Sequence, residues 1–224
     1  EPGGDVAAGG LFPHQLRTVA WMEAVEAEEW LPQGLRFHAT GQLPRGGLVA
    51  HPPGAGKTRC VCELLRRRAG RAEGATVVFA PAHLAQQWRA ELDAHAGSAA
   101  ATTTVLSFDS HGSGGQSWPS MAGVCRVIVD EPQDARGTEW ARGFGAARRG
   151  VRAQYVWALC GTAAEHVEEI AALLLGDSAP RGDEARAMAA ALLVHRRALR
   201  DPPSRCLPAP PLRVQEVPVA LSAD

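Results

Sequence analysis

Two stretches of this 224-residue chain hold the residue types and spacing that chemistry needs. One is Gly54-Ala55-Gly56-Lys57-Thr58, in HPPGAGKT at 51–58; the other is Asp130-Glu131, in RVIVDEPQD at 126–134. The first follows an apolar run at 47–50 and precedes a helical pattern. A tight turn between strand and helix aims several backbone N–H groups at one point, where the helix dipole adds partial positive charge. Gly54 and Gly56 let that backbone approach a ligand with no Cβ between, and Pro53 and Ala55 complete the cradle. Lys57 can reach β- and γ-phosphates and Thr58 can hold Mg2+, the chemistry of nucleoside triphosphate binding. His51 stands where the strict pattern has glycine, and at the entry of the turn it is expected to contribute no chemistry. An ordinary glycine-rich turn is the plainer alternative.

The acidic pair ends an apolar strand. In open parallel sheets ligands gather at the carboxyl ends of strands, which predicts Asp130 beside the Lys57 turn. One acid can position Mg2+ through its waters and the other can orient or deprotonate an attacking water; Asp130 is assigned the metal and Glu131 the water. Read alone, the pair would be a solvated acidic turn.

The elements that must position these groups alternate. A helix is expected from Pro13 to about Glu29, with Leu16, Val19, Ala20 and Ala24 near one face. Turns surround a short strand at 35–39. Strands then follow at 47–50, 75–80, 102–107, 125–129 and 154–160, with helices at about 57–69 (Val61, Leu64 and Leu65 inward), 82–95, 164–175 and 183–198. Alternating strands and helices imply an α/β fold with a mainly parallel sheet between helices, and the short continuous apolar runs suit strands buried on both faces. Residues 1–10 are read as a frayed N-terminus and 11–200 as one lobe. Residues 201–224 are read as a proline-rich linker with a late strand at 212–219.

Composition sets bounds. Apolar residues make up 46%, enough for a sizeable core, and a net charge of −1 gives no overall basic field. The five cysteines are odd in number and lack zinc spacing, which predicts free thiols in a reducing compartment. The eight histidines are scattered. No stretch is long and apolar enough to span a membrane, so no membrane partner is expected. The chain starts without Met and reads as a fragment.

Taken in order, the motifs resemble the first RecA-like lobe of superfamily 2 helicase-like ATPases, and more narrowly the SWI/SNF-type DNA translocases, over about 11–222. LFPHQLRTVAWM resembles the family's opening segment, whose Gln contacts adenine; here that is Gln15. RGGLVAHPPGAGKT resembles motif I, with Gly54, Gly56, Lys57 and Thr58 matching and His51, Pro52 and Pro53 departing from the usual acidic D-E-M. VVFAPAHLAQQWRAEL resembles motif Ia, which meets the DNA backbone. VIVDEPQD stands where the family has D-E-A-H or D-E-G-H, with Gln133 replacing His. YVWALCGTAAEH resembles motif III: Gly161 and Thr162 match, whereas Cys160, Ala163 and His166 do not. Arg196-Arg197 and the following L-P segment match the end of the family's lobe. LRFHATGQLPRGG is weakly similar to the RING-bearing branch.

The resemblance implies ATP and Mg2+ as cofactors, double-stranded DNA and a second RecA-like lobe of the same protein as partners, and chromatin or ubiquitin-pathway proteins as further ones. It also implies a nuclear location and a role in chromatin remodelling or DNA repair. Arginines from the second lobe complete the family's site, so the 224 residues alone are expected to bind nucleotide weakly and hydrolyse it very slowly. The departures leave another reading open, a catalytically silent lobe serving as a binding or scaffold module. A small-molecule kinase is disfavoured because it would not explain the Gln15 segment.

Lesser residues have two readings each. His83, Gln87 and Arg89 suit DNA phosphates or a solvated helix face. Trp88 suits the core better than a base-stacking platform. Arg66-Arg67-Arg68 looks like a basic patch but fits a solvated helix end better, where cations favour the dipole. Gln133 and Thr162 suit coupling of nucleotide state to DNA grip, or plain capping. The loop at 107–120 shows no clear chemistry.

Overall fold

The apolar runs become strands because each can bury both faces between layers. A computed structural model of the protein describes residues 10–27, 45–70, 74–108, 122–135 and 153–161. Its elements run α1 (Pro13–Glu26), β1 (Arg45–Val49), α2 (Lys57–Arg68), β2 (Ala75–Ala80), α3 (Ala82–His95), β3 (Thr103–Ser107), β4 (Val124–Asp130) and β5 (Tyr155–Leu159), with short 3-10 turns at Gly97–Thr102 and Pro132–Ala135. The five strands form one sheet in the order β1-β5-β4-β2-β3. Every pairing is parallel. This is the expected α/β architecture. The strand expected at 35–39, the late strand and the helices expected at 164–175 and 183–198 lie outside the described residues, as does most of the loop at 107–120.

Alternation along the strands divides the core. Val78 and Ala80 of β2, Ile128 of β4 and Trp157 and Leu159 of β5 share one cluster with Met22 of α1, Val61, Leu64 and Leu65 of α2, and Trp88 and Leu92 of α3. Val77 and Phe79 of β2, Val127 and Val129 of β4 and Val156 of β5 point into a second cluster. The period of two is that of pleated strands. Val61, Leu64 and Leu65 are inward as expected, each 2% exposed or less, which is worth about 1.5–3 kcal/mol per side chain.

α1 differs from expectation. It ends at Glu26, and its buried stripe is His14, Gln15, Thr18, Val19, Met22, Val25 and Glu26. Of the face expected from hydropathy, only Val19 is buried, and Ala20 is exposed. The stripe contains polar groups because partners elsewhere in the fold satisfy them, which makes their burial tolerable.

Glu26 shows how. Its Oε1 accepts from Arg126 Nε at 2.7 Å and Trp157 Nε1 at 3.0 Å, and its Oε2 accepts from the other arm of Arg126 at 2.6 Å. Arg126 also donates to Thr76 Oγ1 at 3.3 Å and lies 5.0 Å over the Tyr155 ring. This bidentate pair is fully within the fold, at 2% and 1% exposure. It anchors the far end of α1 to the beginnings of β2, β4 and β5.

The three arginines ending α2 are neither a free basic patch nor simply solvated. Arg66 and Arg67 both donate to Glu63, Arg67 also reaches Glu23, and Arg68 lies 3.4 Å from Glu26. Hydrogen bonding to Arg66 pulls the Glu63 carboxyl down to about 2. Four described cysteines, Cys60, Cys62, Cys125 and Cys160, are buried thiols. Burial pushes the Cys60 and Cys62 thiols up to about 12, well away from thiolate reactivity. No helix among the described residues is long and apolar enough to cross a membrane.

Candidate active site

Strand register brings the two sequence motifs together. Val49, the last residue of β1, and Asp130, the last of β4, both pair with Leu159 of β5. The glycine loop and the acids therefore leave the sheet at the same level, two strand spacings apart, or about 10 Å. The end of β5 lies between them.

The loop is built for close approach. Gly54 and Gly56 hold φ of 78° and 79°, a region costly for other residues. Gly56 caps α2, so the first N–H groups of that helix have no carbonyl within the helix. Pro53 and Gly54 are exposed, Ala55 is buried, and Gly56 and Thr58 are partly exposed. Ala55 N–H closes a turn onto Pro52 O at 3.2 Å.

Lys57, 9% exposed, donates to His51 O at 3.2 Å and lies 3.5 Å from Glu131 Oε1. Glu131 Oε2 accepts from Gln133 Nε2 at 2.8 Å and from Gly161 N–H at 3.4 Å. Gln133 in turn accepts from the Cys160 thiol at 3.2 Å. A side chain at position 161 would put its Cβ 3.1 Å from Pro53 Cδ and 3.6 Å from Lys57 Nζ. The glycine matching motif III is thus the piece that lets the β5 end sit between loop and acids. Thr162 lies outside the described residues, as do Ala163, His166, Arg196 and Arg197.

Glu131 has φ of 45°, unique among the described non-glycine residues. Its N–H donates to Leu159 O at 2.8 Å, and its carbonyl accepts from Asp134 N–H at 3.0 Å. Non-glycine residues held in this region cluster at functional sites, where the surroundings over-determine the strain. Asp130, 5% exposed, has its carboxyl pushed up to about 6 by burial, reinforced by the Glu131 charge and opposed by Trp88 and Lys57. Its Oδ2 accepts from Trp88 Nε1 at 2.8 Å.

α1 reaches the same site from behind. Gln15 Oε1 accepts from Phe12 N–H at 3.0 Å, and Nε2 donates to Ala55 O at 3.1 Å. One amide N–H and one acceptor lone pair remain on that side chain. His14 Nε2 lies 2.9 Å from the same Ala55 carbonyl, a contact that spacing alone did not reveal. His51, expected to contribute no chemistry, has a structural place. It is 1% exposed, packs edge-on to His14 at 5.8 Å, and its Nε2 lies 2.6 Å from Thr18 Oγ1. Because the Thr18 hydroxyl donates to His14 O at 2.8 Å, the imidazole is the donor to Thr18. His51 ties the loop entry to α1.

The donor set suits a triphosphate with its magnesium. Among the described residues no three His, Cys, Asp or Glu side chains gather as a metal group. Magnesium carried by phosphates needs only one or two protein oxygens, such as the Thr58 hydroxyl and an Asp130 carboxylate oxygen. On the α3 side, His83, Gln87 and Arg89 are all exposed, and Arg89 also donates to Val105 O at 3.3 Å.

Among solved structures the chain is similar to the UvsW helicase from bacteriophage T4, at 15% identity and a TM-score of 0.45. The likeness covers 59% of this chain and 52% of the helicase chain, so the chain spans about half of that protein's length. No curated protein matches it. The family model described as the SNF2-related domain matches residues 14–126, from the Gln15 segment through the loop and α3 to β4, with Asp130 and Glu131 just beyond. That match spans half of the chain, and the chain belongs to the SNF2-related domain family.

Proposed function

We propose that this chain is the N-terminal ATP-binding lobe of a DNA-dependent ATPase of the SWI/SNF class, coupling ATP hydrolysis to movement on double-stranded DNA. The observation that carries this reading is the Lys57 ammonium 3.5 Å from Glu131 Oε1, where two distant segments meet beside the Gly161 backbone. In this reading Pro53, Gly54, Ala55 and Gly56 wrap the phosphates, and Gln15 offers adenine its remaining donor and acceptor. Lys57 neutralises the γ-phosphate, whose oxygens replace Glu131 Oε1 as its partner. Glu131, oriented by Gln133 and Gly161, then takes the proton of the attacking water. Thr58 and Asp130 would hold magnesium, which when bound supplies further charge neutralisation at the phosphates. The exposed His83, Gln87 and Arg89 would meet DNA. Lobe bounds of 11–200, a second lobe, chromatin or ubiquitin-pathway partners and a nuclear location belong to the same proposal.

Calorimetric titration of Mg·ATP into the 224-residue chain tests it. The wild type should bind, and Lys57→Ala should weaken binding about 10–100-fold, the worth of a charge-assisted hydrogen bond. Turnover by this chain alone should be slow, since an arginine supplied from outside a site is worth about 10³–10⁵ in rate. A folded chain with no affinity for Mg·ATP would instead favour the silent scaffold, which the structural use of His51 at the loop entry also suits.

A further inference from the structure

The buried face of α3 is Ala85, Trp88 and Leu92. Its one side-chain polar atom is the indole nitrogen of Trp88. That ring is 1% exposed, and its N–H donates to Oδ2 of Asp130 at 2.8 Å. A position needing only volume is met by any large apolar side chain. An indole at such a place carries a donor that must find a partner. Here the partner is the acid at the carboxyl end of β4, 42 residues away in the chain and itself 5% exposed.

A carboxylate on a single bond can rotate, and a metal or its waters need one oxygen held in one direction. Occupying Oδ2 from the core side restricts that rotation and makes Oδ1 the oxygen assigned to coordination. Metal ligands are commonly oriented in this way by a hydrogen bond from a residue that never touches the metal.

We propose that Trp88 is a positioning residue for magnesium, holding Asp130 through its indole N–H so that one carboxylate oxygen is presented to the metal carried by the nucleotide. This rests on the reading of Asp130 as the magnesium acid given above. Trp88 touches neither nucleotide nor DNA in this role.

Trp88→Phe keeps an aromatic ring in the core and deletes the donor. ATP affinity is measured calorimetrically for both proteins, with excess Mg2+ and with EDTA. The gain in affinity that Mg2+ brings should fall about 10–100-fold in Trp88→Phe, the usual loss when such a supporting bond goes, while affinity in EDTA stays unchanged. A merely structural role would lower both arms together, and that result, or an intact magnesium gain, would overturn the proposal. A wild type that binds ATP equally well in EDTA and Mg2+ would sink the Asp130 assignment first, and this inference with it. A measurement on the wild type covers the case in which Trp88→Phe does not fold. The 15N-labelled Trp88 indole resonance, assigned by triple-resonance methods, should move with Mg·ATP and stay near its ligand-free position with ATP in EDTA. Equal shifts in the two conditions would count against the proposal.

Discussion

Two carboxylates sit at opposite ends of the same sheet and are held in opposite ways. Glu26, at the strand beginnings, is saturated: Arg126 grips it with bonds of 2.6 and 2.7 Å, Trp157 adds a third, and water has no access. Glu131, at the strand ends, has one short bond, from Gln133 at 2.8 Å, and is otherwise held more loosely. Its cation is 3.5 Å away, its amide contact with Gly161 is 3.4 Å long, and its side chain is 22% exposed. The residue also sits in a backbone region that others avoid. A charge fixed by short bonds on every side can only hold the fold. A charge with a replaceable partner and an open side can change partners, and a reaction requires that. α1 spans both regimes, with Gln15 at one end and Glu26 at the other.

The contrast can be broken from either end. The largest effect on stability is expected from Arg126→Ala, which strips the buried Glu26 of its bidentate partner and leaves it Trp157 and the more distant Arg68. It should cost about 3–5 kcal/mol in denaturant unfolding. Arg126→Met with Glu26→Leu should recover only part of that loss, since the buried Trp157 indole N–H then loses its acceptor and Arg68 its carboxylate.

Asp130→Asn should act in the other direction, in metal-free protein. The folded carboxyl has its pKa near 6 against 3.8 for the free group, so between those values the folded state holds a proton that the unfolded state has lost. Stability therefore falls as pH rises through that window and stays lower above it. Asparagine escapes the penalty, so the variant should gain up to about 3 kcal/mol at pH 7.5 and little at pH 4, read from thermal melts. A gain that is the same at both pH values would remove burial of the charge as its cause.

His51→Ala should cost about 1–3 kcal/mol, because the Thr18 contact is lost within the core. Mg·ATP affinity should fall with it, since the loop entry is no longer tied to α1. His51→Gly, which restores the strict motif, should lose stability likewise and separate motif from mooring. The smallest change in stability, within about 1 kcal/mol, is expected for Lys57→Ala, whose partner is partly exposed. A large stability loss there would put Lys57 in the same class as Arg126 and undo the comparison.

Much of the frame was legible because the signal was local. Helix α3 and strand β2 have the bounds that period and turn residues predict, and α2 the expected inward face. The meeting of Lys57 with the acids follows from the rule for parallel sheets. The misread parts depend on distant partners. Hydropathy treats His14, Gln15, Thr18 and Glu26 as surface, which places the expected stripe of α1 one step round the helix from the buried one. Only the folded arrangement supplies Ala55 O, His51 and Arg126 to satisfy them. Trp88 was placed correctly in the core, but its donor had no visible destination, since Asp130 is 42 residues away.

Among the described strands, β1 is hydrogen-bonded to β5 alone. The segment that launches the glycine loop must therefore wait for a partner more than a hundred residues downstream. A nascent chain halted on the ribosome before Tyr155 has emerged would already contain every loop residue and both acids, yet lack β5, the strand beside which β1 lies among the described residues. Assembly of this pocket should be a late event in synthesis, preceded by docking of β2 on β3 and then β4.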